Sequence, residues 1–224
     1  MFGDELKMLV RCVVSLLTVL SCATLDGQQS LMQNTCMCHT LGMNVAQYAR
    51  MTDCCQWTGV KCADGEVVHI HWDACQRLII SSVCWLPPTV LQLHVAHCPV
   101  SSQALITSRL PRALRSCVVM NCRMEGSIEL RTLPNHIEVL KLMQNKFSGK
   151  IRITQLPSTA VEIDLTWNKI RTVFLWNACL PEHLRYIKVG CSREGTQIIG
   201  LDGPPDDRVF SRPRKEIVAH AAST

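Results

Sequence analysis

Residues 133–145 read L-P-N-H-I-E-V-L-K-L-M-Q-N, and the phrase recurs along the chain. Residues 110–122 read L-P-R-A-L-R-S-C-V-V-M-N-C, and residues 86–98 read L-P-P-T-V-L-Q-L-H-V-A-H-C. Residues 156–168 close on I-D-L-T-W-N, residues 180–189 read L-P-E-H-L-R-Y-I-K-V, and a degenerate first copy keeps Ile70, Trp72 and Cys75. Where the opening Leu is present, an apolar pair follows it by seven and nine residues, and a Cys, Asn or Ser follows the pair by three. That last position is Cys75, Cys98, Cys122, Asn145, Asn168 and Ser192, in steps of 23, 24, 23, 23 and 24. A period of this length marks a solenoid, each copy being one supersecondary unit. The apolar pair alternates with polar residues, so one face of a short strand turns to the core. One copy is too small to bury that face alone, so copies must stack.

The phrase resembles the leucine-rich repeat, L-x-x-L-x-L-x-x-N/C-x-L. The resemblance implies an α/β solenoid: a curved parallel β-sheet of about six strands on the concave side, with irregular or 3-10 segments on the convex side. In that family the Asn satisfies backbone groups where the chain leaves the strand, having two donors and an acceptor to offer. Cys fills the same slot as a small buried residue with a weak S–H donor. Asn145-Lys-Phe-Ser-Gly149-Lys-Ile151 resembles the plant-type continuation N-x-F/L-S-G-x-I, and Cys122-Arg-Met-Glu-Gly126-Ser-Ile128 does too. Segments 98–105 and 168–175 lack this Gly.

Ahead of the first copy stands Asp53-Cys54-Cys55-Gln56-Trp57-Thr58-Gly59-Val60-Lys61-Cys62. It resembles the N-terminal cap of plant-type leucine-rich repeat proteins, C-x-W-x-G-V-x-C. That resemblance implies a Cys55–Cys62 disulfide, a second from Cys54 to either Cys36 or Cys38, and a cap helix over Leu31–Tyr48. A zinc site is the rival reading of these cysteines, but their spacing is not the usual C-x2-C, and no metal is assigned. Met8–Ala23 is mostly apolar behind Lys7 and ends in small residues, which fits a signal peptide. Asp4 and Glu5 are unusual there, so an uncleaved N-terminal anchor is the alternative. The expected division is a leader over 1–24, a cap over 25–62, about six repeats over 63–192, and a cap remnant with a basic tail over 193–224. The 14 cysteines agree with an extracellular or surface location, where disulfides persist.

Residues alternating with the apolar pair point to the concave face. One column runs His71, His94, Val118, Lys141, Asp164, Lys188, and another runs His69, Gln92, Ser116, Val139, Glu162, Tyr186. Asp73, His97, Asn121, Met143, Gln144 and Trp167 follow further along each strand. The candidate partner-binding set is therefore His69, His71, His94, His97, Lys141, Gln144, Glu162, Asp164, Trp167, Tyr186 and Lys188. The families resembled are extracellular receptor-like and inhibitor repeat proteins and the surface antigens of trypanosomatid parasites. They imply recognition or adhesion toward a protein or glycan, with two alternatives: inhibition of a secreted hydrolase, and a metal- or pH-responsive surface built on the histidines. With no G-x-S-x-G, no H-E-x-x-H and no phosphate-binding glycine loop, neither catalysis nor a cofactor is expected. The net charge of +5 forms no basic stripe interleaved with aromatics, which argues against nucleic acid and leaves acidic glycans or anionic surfaces.

Overall fold

Each Leu-Pro opens a tight turn rather than a strand. Pro fixes φ, and its carbonyl accepts the N–H three residues on: Val90 from Pro87 at 3.2 Å, Leu114 from Pro111 and Ile137 from Pro134 at 3.1 Å, Ala160 from Pro157 at 3.0 Å, and Leu184 from Pro181 at 3.1 Å. The turn delivers those five apolar residues into the core, where all are buried. The strand follows two residues later. The structure, a computed structural model, describes residues 37, 40–41, 53–74, 80–101, 104–190 and 195–212. The leader, Cys36, Cys38, most of the expected cap helix, Cys75, Cys191, Ser192 and the tail from 213 lie outside the described residues.

Among the described residues twelve strands follow in order: β1 (Val60–Ala63), β2 (Glu66–Asp73), β3 (Gln92–Ala96), β4 (Ser116–Met120), β5 (Glu125–Gly126), β6 (Val139–Lys141), β7 (Lys146–Ile153), β8 (Glu162–Asp164), β9 (Lys169–Leu175), β10 (Tyr186–Gly190), β11 (Gln197–Gly200) and β12 (Val209–Arg212). The inner sheet has the order β1-β2-β3-β4-β6-β8-β10-β12. Its pairs are parallel except the β1–β2 hairpin. Leu93 faces Cys117, Cys117 faces Leu140, Leu140 faces Ile163 and Ile163 faces Ile187, so one sequence period is one strand step.

The convex side carries the expected 3-10 turns, at Thr107–Arg109, Leu130–Thr132 and Asn177–Cys179. It also carries a second parallel sheet of order β11-β9-β7-β5. The core fills the space between the two sheets: Leu140 and Ile163 come from the inner strands, Leu142 and Leu165 from the residues just after them, and Phe147, Ile151, Ile170 and Val173 from the outer strands. Each such side chain contributes about 2 kcal/mol of apolar burial. The plant-type Gly has a conformational reason, since Gly126 and Gly149 sit at φ 93° and 90° within the outer strands β5 and β7.

The inner and outer strands join through the Asn/Cys ladder. Asn145 Nδ2 donates to the carbonyls of Val119 at 2.8 Å, Met143 at 3.1 Å and Leu142 at 3.2 Å, while its Oδ1 accepts the N–H groups of Cys122 and Met124 at 3.1 Å. Asn168 repeats this with Leu142 at 2.9 Å, Leu165 at 3.0 Å and the N–H of Phe147 at 3.0 Å. The thiols of Cys98 and Cys122 point the same way, donating to Ala96 and Met120 carbonyls at 3.1 Å.

The N-terminal edge is closed by the cap hairpin. Cys55 and Cys62 form a disulfide. Asp53 caps the 3-10 turn Cys54–Gln56 by accepting the Cys55 N–H at 3.1 Å. Gly59 lies flat on β2 at φ 82°, where a Cβ would collide with the His71 carbonyl oxygen. Its own carbonyl accepts the His71 N–H at 2.7 Å. The Trp72 indole N–H donates to the Thr58 carbonyl at 3.3 Å. The W-x-G-V-x-C signature is thus a close docking of backbone on backbone. Cys54 is buried, and its two candidate partners lie outside the described residues.

At the other edge, β11 and β12 fall where the repeat phrase fades. β12 adds a further parallel strand, with Val209 buried opposite Ile187. The breaker Asp202–Asp207 shapes this turn. Asp202 accepts the N–H groups of Asn177 at 2.8 Å and Ala178 at 2.9 Å, and Asp206 holds Arg208 through two oxygens at 2.9 Å.

Candidate functional site: the concave sheet

The two expected columns are in register. His71, His94, Val118, Lys141, Asp164 and Lys188 are lateral neighbours on consecutive strands, and Phe210 of β12 continues the row. His69, Gln92, Ser116, Val139, Glu162 and Tyr186 form the second.

At the N-terminal end the rings of His71 and His94 stack, with centroids 4.3 Å apart and planes within 14°. His97 Nδ1 lies 3.0 Å from Asp73 Oδ1. Burial lowers the His94 pKa below its ordinary 6.5, the charge of His71 lowers it further, and Asp73 opposes them. Asp73 in turn is held below the usual carboxylate range, chiefly by the His97 hydrogen bond. His69 sits half-buried beside Gln92. Among the described residues, the group that gathers three ligand atoms within 4.8 Å is elsewhere, at Asp53, Cys54 and Cys55, where the disulfide already consumes the Cys55 sulfur.

The C-terminal end is organised by Glu162. It receives Lys141 Nζ at 3.0 Å, the Tyr186 hydroxyl at 2.9 Å and Arg185 at 3.3 Å. Lys188 Nζ lies 4.0 Å over the Tyr186 ring, a cation–π contact. The hydrogen bond from Lys141, then that from Tyr186, holds the Glu162 carboxyl below its ordinary value. Burial and the Glu162 hydrogen bond push Tyr186 up to about 12.

Two expectations about side-chain placement are corrected. Asp164 occupies its column between Lys141 and Lys188 but is buried, and its Oδ1 accepts the N–H of Thr166 at 3.0 Å and its hydroxyl at 2.7 Å. It braces the turn out of β8 rather than offering a free carboxylate. His97, Gln144 and Trp167 are not strand residues. Each stands just before a ladder residue, in the left-handed region at φ 54°, 56° and 59°. Ala74 and Asn121 take the same conformation at φ 50° and 52°. The fold imposes it at one position per turn, because the chain must swing from the inner sheet to the ladder. Asn121 and His97 were the available sequence signals, since Asn and His enter this region more readily than other non-Gly residues, whereas Trp has no such preference. The swing leaves Trp167 at 37% exposure on the rim of the sheet.

Sequence reasoning also missed the outward face of the second sheet, where Lys146, Lys150, Arg152, Lys169 and Arg171 are exposed. The signal was the alternation of basic and apolar residues in K-F-S-G-K-I-R-I and K-I-R-T-V-F-L.

No protein-family model matches the sequence, and no curated protein does. Among solved structures, the chain is similar to a plant ice-binding protein, with a TM-score of 0.53 and 17% identity over 75% of this chain and 56% of that one. It therefore spans just over half of that protein's length. It is also similar to a chain of the BIR3–SERK2 complex from Arabidopsis thaliana, with a TM-score of 0.44 and 19% identity over 76% of this chain and 89% of that one. The first likeness is one of fold. With the Asn/Cys ladder and the register of the inner sheet, the architecture is a leucine-rich-repeat-like parallel β-solenoid, stapled by a disulfide near its N-terminal end.

Proposed function

We propose that this solenoid is an extracellular or surface recognition module that binds a protein or glycan partner on its concave sheet and performs no catalysis there. The observation that carries the reading is the cluster around Glu162. One carboxylate fixes Lys141, Arg185 and Tyr186, and Lys188 packs over the Tyr186 ring. Tyrosine, tryptophan and arginine dominate binding energetics at interfaces, and side chains already held in place lose less entropy on binding. Trp167 stands at the rim of the same half of the sheet. The test is an avidity-based array of extracellular protein domains and glycans, probed with the native chain and with Tyr186→Ala/Trp167→Ala. A partner captured by the native chain should lose at least about tenfold in affinity with the double variant. A partner that binds both forms equally sits elsewhere and refutes the concave site.

A second reading, a pH-responsive surface, is favoured by the His71–His94 stack with Asp73 and His97 beside it. Stacked imidazoles are compatible when neutral and repel when both are charged. Ice binding, the role of the plant neighbour, fits poorly, because the ammonium groups exposed on the outer sheet hold strongly bound hydration shells of their own.

A further inference from the structure

The outer sheet is a second, chemically different surface. β7 and β9 present Lys146, Lys150, Arg152, Lys169 and Arg171 outward, all exposed. Their alternates Phe147, Ile151, Ile153, Ile170, Val173 and Leu175 are buried, so the cations cannot turn inward. No carboxylate occurs on β7, β9 or β11. Glu125 is the acid on this sheet, on the edge strand β5 in register with Lys146. Glu129, just beyond β5, is held by the Arg131 guanidinium through two contacts at 2.9 Å and also feels the charge of Arg152. Neighbouring strands are about 4.8 Å apart and alternate residues about 7 Å apart, so Lys146, Lys150, Arg152 and Lys169 lie within a few such steps of one another. The β7–β9 register shifts once, between Gly149 and Lys150, where Arg171 is the extra, unpaired residue of β9.

Like charges this close repel, and an anion relieves them. Between the cations lie Ser148 and Thr172, whose hydroxyls can exchange hydrogen bonds with a polyol, and Gly149, which adds no bulk. The aromatic on these two strands that faces outward is Phe174, half-buried at the far end beside Arg152. Single-stranded nucleic acid wants aromatic platforms interleaved with the cations, and a membrane surface wants an apolar face under them. The central part of this sheet offers neither. The Cys55–Cys62 disulfide belongs to an oxidising compartment.

We propose that the outer sheet, through Lys146, Lys150, Arg152 and Lys169, binds an acidic polysaccharide whose carboxylates or sulfates lie across β7 and β9. The concave sheet remains available for its own partner. The inference does not depend on what that partner is.

The experiment is surface plasmon resonance of the native full chain over immobilised heparin and immobilised polygalacturonate, with salt stepped upward from about 0.1 M. The variants are Lys150→Gln/Lys169→Gln on the outer sheet and Lys141→Gln/Lys188→Gln on the inner one. The native chain should bind at least one probe, with affinity falling steeply as salt rises. The outer variant should lose about tenfold or more and show a shallower salt slope, while the inner variant stays within about twofold. Binding to heparin alone identifies sulfate as the recognised group, and binding to polygalacturonate alone identifies carboxylate. Binding to neither probe overturns the proposal. So does a loss confined to the inner variant, or tighter binding to duplex DNA or phosphatidylserine vesicles than to either polysaccharide. Gln keeps the length and polarity of an exposed site, and an unchanged thermal midpoint separates lost binding from lost fold.

Discussion

Asn145 and Cys122 hold the same ladder position one turn apart, and they bond directly: the Cys122 N–H donates to Asn145 Oδ1 at 3.1 Å. The asparagine closes the backbone of the turn before it as well as its own. The thiol of Cys122 reaches back the same way, to the carbonyls of Met120 at 3.1 Å and Val95 at 3.5 Å, with the Cys98 N–H also directed at its sulfur. Burial pushes that thiol up to about 11, so it stays protonated and acts as a weak donor.

The two ladder residues should therefore be unequal. Asn145→Ala removes the acceptor of the Cys122 and Met124 N–H groups and a donor to the Val119 carbonyl, and should cost about 3 kcal/mol. Cys122→Ala removes one sulfur from a packed site and should cost about 1 kcal/mol. Urea unfolding of both variants checks this. Equal losses would mean that the ladder is held by packing alone.

Core polarity gives a sharper contrast. Leu140 is buried between Cys117 and Ile163 in the inner sheet, so Leu140→Asp forces a charge into an apolar layer with no partner. Cys98→Ser keeps a small donor within reach of the Ala96 carbonyl. Leu140→Asp should abolish the cooperative transition or lower it by more than about 4 kcal/mol, while Cys98→Ser loses about 1 kcal/mol. Comparable losses would contradict the register.

Much of this was legible because a solenoid makes sequence period and spatial neighbour the same thing. His71 next to His94, and Lys141 next to Asp164, could be read by counting residues. Features that break the period could not. Asp164 looked like a surface carboxylate because nothing in the column revealed that Thr166 would claim it. Trp167 bears no mark of the left-handed turn, which the ladder geometry imposes regardless of residue type. The outer strands carry Phe147, Ile151, Ile170 and Val173 at spacings that vary between copies, so no fixed column exposed them. β12 lacks both the Leu-Pro turn and the paired core positions, yet Val209 finds the same slot beside Ile187.

The cap should fail locally. Opening the Cys55–Cys62 bridge releases a loop whose ends are 7 residues apart, for about 2 kcal/mol of loop entropy. Gly59→Ala should do comparable harm with the disulfide intact, because its Cβ meets the His71 carbonyl and its φ of 82° disfavours any side chain. Hydrogen exchange should accelerate across β1 and β2 first in both cases, with β6 to β10 still protected. Uniform acceleration along the solenoid would show that the cap hairpin is not a separable unit.

Tyr186 offers a direct reading of the concave cluster. Its hydroxyl should stay protonated at pH 10.0, where an ordinary tyrosine is half ionised, and titrate near 12. The folded value is raised, so this group's contribution to stability is complete below 10.0 and is lost as the pH rises through the folded value. Glu162→Gln removes the accepting charge and should bring the midpoint down, while Lys141→Met should raise it by leaving Glu162 less neutralised. NMR of ring-labelled tyrosine follows both. A Tyr186 midpoint at 10.0 that ignores Glu162→Gln would mean that the hydrogen bond is absent in solution.

The histidine end should respond in the opposite direction of pH. His94 has an ordinary value of 6.5 and is depressed in the fold by burial and by His71. The unfolded chain therefore takes up the proton first on acidification, so the stability tied to neutral His94 is present above 6.5 and is lost as the pH falls through the folded value. Asp73 is also depressed, from 3.8, so its contribution disappears in a separate, more acidic window. Carbon-labelled histidine NMR should show His94 titrating below 6.5, moving up in His71→Ala and further down in Asp73→Asn, because Asp73 favours the charged ring. The thermal midpoint should decline as the pH drops below 6.5, and His94→Gln should flatten that decline. If His94 titrates at or above 6.5 and is indifferent to His71→Ala, the rings do not stack in solution, and the pH-responsive reading of this surface loses its footing.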